Sequence, residues 1–205
     1  MLKLYHYWRS SSSWRVRWAL VHKKIEAKFI HVNLLNGESE APEHLARNPL
    51  GYVPVLETDG SYLIESVAII EFLDEKFLDM PLFPKNIFEK AYVRSLIGII
   101  GSDIQPVQNL TVLDKYSEDA EKRKSWSQYF IERGFDAYER LCERTAGQFS
   151  LGDTLTAADI FLIPQVYNAN RFDVSMKPYP NLLRINENAS KLAACINSSP
   201  EKFAP

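Results

Sequence analysis

Cysteine is scarce in this chain of 205 residues: only Cys142 and Cys195 are present, far apart and with no Cys-x-x-Cys pair. That excludes a disulfide scaffold, a thiolate zinc site and a dithiol redox centre. Net charge is scarce too. The 24 Lys and Arg against 26 Asp and Glu leave −2, so the basic field that a phosphate backbone requires is missing and no nucleic-acid partner is expected. Long apolar runs are absent: Leu96-Ile97-Gly98-Ile99-Ile100 is the longest, far below the roughly 20 residues that span a bilayer. Met1 to Arg9 alternate and then meet Ser and Arg, without the apolar centre of a signal peptide. A cytoplasmic protein with no membrane partner is the expectation. His6, His22, His31 and His44 show no metal-ligand spacing, so hydrogen-bonded or solvated histidines and no metal are expected. Apart from four consecutive serines there is no repeat, heptad array or low-complexity tract.

What is present is a hydrophobic fraction of 46%, enough to build a core in one or two domains. Leu2 to Trp8 reads as a strand, Ser10 to Ser13 as a turn and helix start, and Trp14 to Lys24 as a helix with Val16, Ala19, Leu20 and Lys23 along one side. Lys28 to Asn33 reads as a second strand and Pro42 to Arg47 as a short helix. Val53 to Glu57 and Tyr62 to Ile64 flank Asp59-Gly60, a strong hairpin signal, and Ser66 opens a helix through Phe77. The order β-α-β-α-β-β-α predicts a small mixed sheet with a parallel part, since a parallel pair needs a helical crossover. Two prolines and no helical period mark 81–86 as a linker. Beyond it, Ile87 to Leu113, Ser117 to Thr145, Thr156 to Asn168 and Leu182 to Ile196 all read as helix. The division is therefore 1–80, mixed α and β, and 87–205, all-α.

Few positions suggest chemistry. Ser10-Ser11-Ser12-Ser13 sits where strand hands over to helix, so hydroxyls and unpaired N–H groups converge at the positive end of a helix dipole, a place that binds anions. Arg9, Arg15 and Arg17 add positive charge around it. From the residues alone, the plainer account is one capping serine and polar filler. Nucleophilic serine catalysis is disfavoured by the lack of a G-x-S-x-G elbow and of a His and acid partner. Val53-Pro54 is either strand punctuation, with a bond that can be cis, or a bend leaving the Val53 N–H and C=O to pair with a peptide-like ligand. Glu65-Ser66 begins a second helix with a carboxylate beside it, which fits an ordinary cap or a ligand holding both carboxylate and ammonium. Thr156 to Asp159 has capping-box spacing and reads as structural, and Cys142 and Cys195 read as buried packing residues.

Taken together and in order, these signals resemble the glutathione transferases, and within them the zeta class. Arg9-Ser10-Ser11-Ser12-Ser13-Trp14-Arg15-Val16-Arg17 is similar to the zeta signature S-S-C-S-W-R-V-R. Further similarity lies in Asn48-Pro49 to Val53-Pro54, Ser66 to Leu73, Ile104 to Leu110, Thr145-Ala146-Gly147 and Pro164 to Phe172. The resemblance implies a thioredoxin-like α/β N-terminal domain that binds glutathione, followed by an all-α substrate domain, in a homodimer. It implies an enzyme of aromatic amino acid catabolism that isomerises maleylacetoacetate, a cis diacid, to fumarylacetoacetate with glutathione as cofactor. It places the thiol-activating serine at Ser10, with Ser11 and Ser12 beside it in the catalytic run. It lines the glutathione site with Ser10 to Ser13, Trp14, Arg15, Val53, Glu65, Ser66, Gln105, Asn109, Leu110 and Thr111. Arg171, with Arg9 or Arg15 as weaker candidates, would hold a substrate carboxylate. Two departures stand out: Ser12 replaces the signature cysteine, and Glu65 stands where zeta members often carry Gln. Maleylpyruvate isomerisation and dehalogenation of α-halo acids need the same thiolate and carboxylate anchor and remain alternatives, as does a non-catalytic interaction module on the same fold.

Overall fold

Alternating residues open the chain as β1 (Leu2–His6), whose period of two sends Leu4 to one sheet face and Tyr5 to the other, both buried. The computed structural model describes all of Met1–Pro205. Two compact units emerge: Met1–Pro81 together with Leu192–Pro205, and Leu82–Lys191.

In the first unit β1 is followed by α1 (Ser11–His22), β2 (Ala27–His31), the short α2 (Pro42–Leu45), β3 (Val55–Thr58), β4 (Ser61–Ile64) and α3 (Ser66–Lys76). The sheet order is β2-β1-β3-β4, with β1 and β2 parallel and the other pairs antiparallel. The expected hairpin forms, with Asp59 and Gly60 both at positive φ. Helix α1 starts three residues earlier than Trp14, because Ser10 caps it and draws Ser11 to Ser13 into its first turn. Residues 14 to 20 of α1 are all buried, so the helix has no solvent face over two turns.

The C-terminal residues differ from expectation. The sequence places all of 87–205 in the helical part, whereas α9 (Ala193–Ser198) and α10 (Pro200–Phe203) belong with the first unit, and α9 packs on α1. The reason is a polar anchor as well as an apolar one. Trp14 Nε1 donates to Ser198 Oγ at 3.1 Å and Arg17 Nε donates to the Ser198 carbonyl at 3.0 Å. Phe203 packs edge-on against His6 and Phe29, with ring centroids 5.3 and 4.9 Å apart.

The second unit contains α4 (Ile87–Gly98), a π-helical segment (Ile99–Ile104), α5 (Leu110–Tyr116), α6 (Ala120–Cys142), α7 (Ala157–Arg171) and α8 (Pro180–Ser190). The single helix expected from Ile87 to Leu113 is thus broken. A π turn widens it after Gly98, and Pro106, which has no N–H to donate, lies in the turns before α5. The α6 backbone approaches the π segment at Gly134, where a Cβ would overlap the Ile104 side chain. The Thr156 capping box forms as expected. Asp159, fully buried, accepts from the N–H groups of Ser150 and Thr156, each at 2.8 Å. Glu139 does the equivalent for α8, accepting from Asn181 N at 3.0 Å, Asn181 Nδ2 at 2.6 Å and Leu182 N at 3.1 Å.

Two outcomes follow. Glu139→Ala leaves three donors without an acceptor and is expected to lower the unfolding free energy by about 2 kcal/mol, measured in urea; an unchanged midpoint would show that α8 needs no such cap. Burial, the neighbouring Arg17 charge and His31 push the His6 imidazole down to about 3. Between pH ~6.5 and ~3 the unfolded chain therefore binds a proton that the folded chain refuses, so stability falls as pH falls through that window. His6→Gln is expected to flatten that slope by up to about 1.4 kcal/mol per pH unit; parallel curves for variant and wild type would remove His6 as the acid-sensitive group.

Candidate active site

The first site element is the end of α1. Ser10 is extended (φ −67°, ψ 123°) and its Oγ accepts the Ser13 N–H at 3.2 Å. The Trp14 N–H goes to the Ser10 carbonyl at 2.9 Å. These two bonds leave the Ser11 and Ser12 N–H groups as the unclaimed donors of the first turn. A hydroxyl used as an acceptor still has its proton to give. Ser10 therefore presents an O–H donor at the positive end of a 12-residue helix, an arrangement that stabilises an anion.

The second element is the β3 approach and the end of α3. The Val53–Pro54 peptide bond is cis, and Val53 lies just outside the β3 ladder. Val53 and Tyr7 share one buried cluster, which joins this backbone to the turn carrying Ser10. The loop before it is held by Tyr52, whose carbonyl accepts from Asn48 Nδ2 at 3.0 Å and from His44 Nε2 at 2.9 Å. Glu65 occupies the cap position of α3 at φ +67°, ψ 119°, outside the ordinary left-handed region, and its exposed side chain makes no capping bond. Such a conformation costs about 1–3 kcal/mol and persists where the surroundings enforce it. The ordinary-cap reading of Glu65 does not hold; its carboxylate remains available to an ammonium. Buried Ser66 accepts from Arg15 Nη1 at 3.4 Å, which ties the ends of α1 and α3 together.

Several expectations need correction. Arg15 and Arg17 are 1% and 0% exposed, so they are internal ties and not part of an open basic field, and Arg15 is closed off from a substrate carboxylate in solvent. Burial pulls both guanidinium groups down to about 9, opposed by the charges of Glu65 and Glu201 respectively. The Ser13 side chain is fully buried, with its Oγ taking the Tyr7 N–H at 3.3 Å, and the Trp14 indole is turned inward to Ser198. Both are structural in their side chains. Ser12 is buried and Ser11 half-buried. Half-buried Arg9 has its guanidinium 5.5 Å from the Trp8 ring centroid. Sequence reading gave His44 and Asn48 no part in holding the Val53 approach; a histidine two residues past Pro42 and an asparagine before proline gave no cue beyond turn chemistry.

The remaining expected residues lie in the second unit. Half-buried Gln105 ends the π segment, Asn109 precedes α5, and Leu110 and Thr111 are its exposed first residues. Trp126 Nε1 donates to the Val107 carbonyl at 2.9 Å, and Gln108 and Gln165 exchange amide hydrogen bonds of 2.7 and 3.2 Å, fixing this stretch to α6 and α7. Arg171 is exposed in the last turn of α7, with Nη1 3.4 Å from Asn168 Oδ1.

In the first unit, unclaimed N–H groups at two helix ends, a free carboxylate and a serine O–H suit a small peptide bearing carboxylates, an ammonium and a thiol. Glutathione fits that donor set. No group of three His, Cys, Asp or Glu side chains could hold a metal, and no helix is long and apolar enough to cross a membrane. A cavity of about 680 Å³ elsewhere in the unit, lined by Lys23, Lys76 and Asp59 among others, includes none of these groups. Two of its cations are paired, Lys23 with Asp74 and Lys76 with Asp59.

Comparison with known proteins gives a consistent answer. The family model described as glutathione S-transferase, N-terminal domain, matches residues 1–75, and that for the C-terminal domain matches residues 120–185. The chain is 44% identical over 203 residues to a maleylacetoacetate isomerase of Dictyostelium discoideum, covering 97% of this chain and 93% of that one. It is similar to a bacterial maleylpyruvate isomerase described as a zeta-class glutathione S-transferase, with a TM-score of 0.93, 37% identity and coverage of 97% and 96%. It is also similar to the maleylacetoacetate isomerase of Anaeromyxobacter dehalogenans 2CP-1, solved with dicarboxyethyl glutathione and citrate in its active site. That match has a TM-score of 0.89 and 40% identity, and covers 98% of this chain and 95% of that one. With both halves matched and such identity sustained over almost its whole length, this chain belongs to the glutathione S-transferase family, in its zeta class.

Proposed function

We propose that this protein is a glutathione-dependent cis-trans isomerase acting on maleylacetoacetate, with Ser10 as the thiol-activating residue. The observation that carries the chemistry is the Ser10 cap, whose oxygen accepts from Ser13 while its proton remains to be donated. When bound, glutathione supplies a thiol whose reversible addition to the cis double bond allows that bond to turn.

The chain's task is to favour the ionised sulfur. A free thiol has a pKa near ~8.5, and lowering it by about two units needs roughly 2.7 kcal/mol. A hydrogen bond to a charged group gives about 1.5–3 kcal/mol and a helix N-terminus about 0.3–1 kcal/mol. Ser10 and the α1 dipole suffice together. Serine donates and never attacks, and the signature cysteine replaced here by Ser12 is not required for that step. Val53 offers backbone pairing, Glu65 the counter-charge for an ammonium, and the N-terminus of α3 at Ser66 a place for a carboxylate. Gln105, Asn109, Leu110 and Thr111 complete the glutathione contacts in this reading, and Arg171, with Arg9, orients the diacid. Residues 1–80, together with Leu192–Pro205, then act as the glutathione-binding domain, 81–86 as the connection, and the helical unit up to Lys191 as the substrate domain.

A cytoplasmic homodimer accords with the family and with exposed apolar side chains at Leu50, Tyr52 and Tyr62 in one unit and Ile87 and Phe88 in the other. The likeness to a maleylpyruvate isomerase supports a second reading in which that smaller cis diacid is the substrate; relative kcat/KM on the two diacids decides between them.

Ser10→Gly keeps most of the cap's stability while deleting the hydroxyl. It is expected to lower turnover about 10²-fold with little change in Tm, and near wild-type turnover would contradict the assignment. Arg171→Ala is expected to raise KM for the diacid about tenfold or more, as loss of a charged hydrogen bond implies, with kcat changed far less. An unchanged KM would take Arg171 out of the substrate site.

A further inference from the structure

Arg17 lies two turns after Ser10 on α1 and is completely buried, yet no carboxylate forms an ion pair with it. Its two Nη groups go to one place. Nη2 donates to the Trp8 carbonyl at 2.9 Å, and Nη1 lies 3.2 Å from both the Tyr7 carbonyl and His6 Nδ1. The same Tyr7 carbonyl accepts the Ser10 N–H at 3.1 Å, so the guanidinium and the serine share one acceptor. Nε reaches the Ser198 carbonyl at 3.0 Å, and the guanidinium carbon sits 4.7 Å from the Phe203 ring centroid.

A buried cation is costly, and an apolar side chain of similar volume often serves packing as well or better. What an apolar side chain cannot do is hold two successive carbonyls at fixed positions while gripping a distant backbone segment. The fork of the guanidinium is suited to that. The charged and titratable groups that face it are His6, which stays neutral, and Glu201 on α10, which acts on it only through its field.

We propose that Arg17 is a positioning residue for the thiol-activating serine, and that the C-terminal segment Leu192–Pro205 sets Arg17 in place. This rests on the reading of Ser10 given above. In it, the C-terminal segment is a working part of the glutathione-binding half: Ser198 and Phe203 fix the guanidinium, the guanidinium fixes Tyr7 and Trp8, and that turn fixes where the Ser10 O–H points.

The test is the ionisation of glutathione bound to the full-length protein, followed by thiolate absorbance against pH, with kcat, KM and Tm in parallel. Arg17→Met keeps length and loses every donor; Phe203→Leu keeps the donors and loses the ring. Arg17→Met is expected to raise the bound thiol's pKa by about one unit and lower kcat about tenfold at neutral pH, while KM for glutathione moves less. Phe203→Leu is expected to shift both in the same direction by a smaller amount. A variant that loses Tm but keeps the wild-type thiol ionisation would overturn the proposal and leave Arg17 a packing cation. If Arg17→Met does not fold, Phe203→Leu decides alone, and an unmoved thiol and kcat there overturn it. An unshifted thiol in the wild type would instead overturn the Ser10 reading itself, and this proposal with it.

Discussion

Everything depends on how one serine oxygen is used. At the start of α1 the Ser10 Oγ accepts the Ser13 N–H, and the Ser10 carbonyl accepts the Trp14 N–H. The helix is thereby begun at a fixed point soon after β1, and the hydroxyl keeps a proton that this bond does not use. The same interaction that satisfies the helix end also leaves the donor that the proposed chemistry requires. Removing the cap would release not only helix stability but the direction of that donor.

The surrounding sequence is organised to hold that point still. Ser13, the residue whose N–H is captured, returns its own hydroxyl to the Tyr7 N–H, and Arg17 holds the Tyr7 and Trp8 carbonyls from below. Arg15 ties the neighbouring end of α3 through Ser66, beside the positive-φ residue Glu65. A family signature rich in serine and arginine is thus mostly a mechanical device. One serine of the run carries the proposed chemistry and one is structural, and two of its arginines are buried.

Much of this fold was legible in the sequence, because period-two runs and Asp59-Gly60 report strands and a hairpin through backbone sterics that hold in any context. The Thr156 box was legible for the same reason: its partners are three residues apart. The serine cluster at the β1–α1 turn was legible from the residues as either an anion-binding place or a plain cap, and only the resemblance gave it a ligand. What stayed hidden depends on long-range packing. Helical periodicity continues beyond Leu182 whichever unit receives it, so the return of α9 and α10 to the first unit had no local sign. Arg15 and Arg17 looked like surface charge, although five successive residues from Trp14 to Trp18 point right round a helix and at least some of the charge had to face inward. The π segment after Gly98 likewise follows from packing against Gly134, which no short-range pattern announces.

A crystal structure of the wild-type protein with glutathione is the most direct measurement of the central claim. The account predicts the tripeptide's sulfur within hydrogen-bonding reach of Ser10 Oγ, its backbone alongside Val53 and one carboxylate at the start of α3. Sulfur facing Ser11 or Ser12 instead, or the tripeptide lodged away from the end of α1, would contradict it.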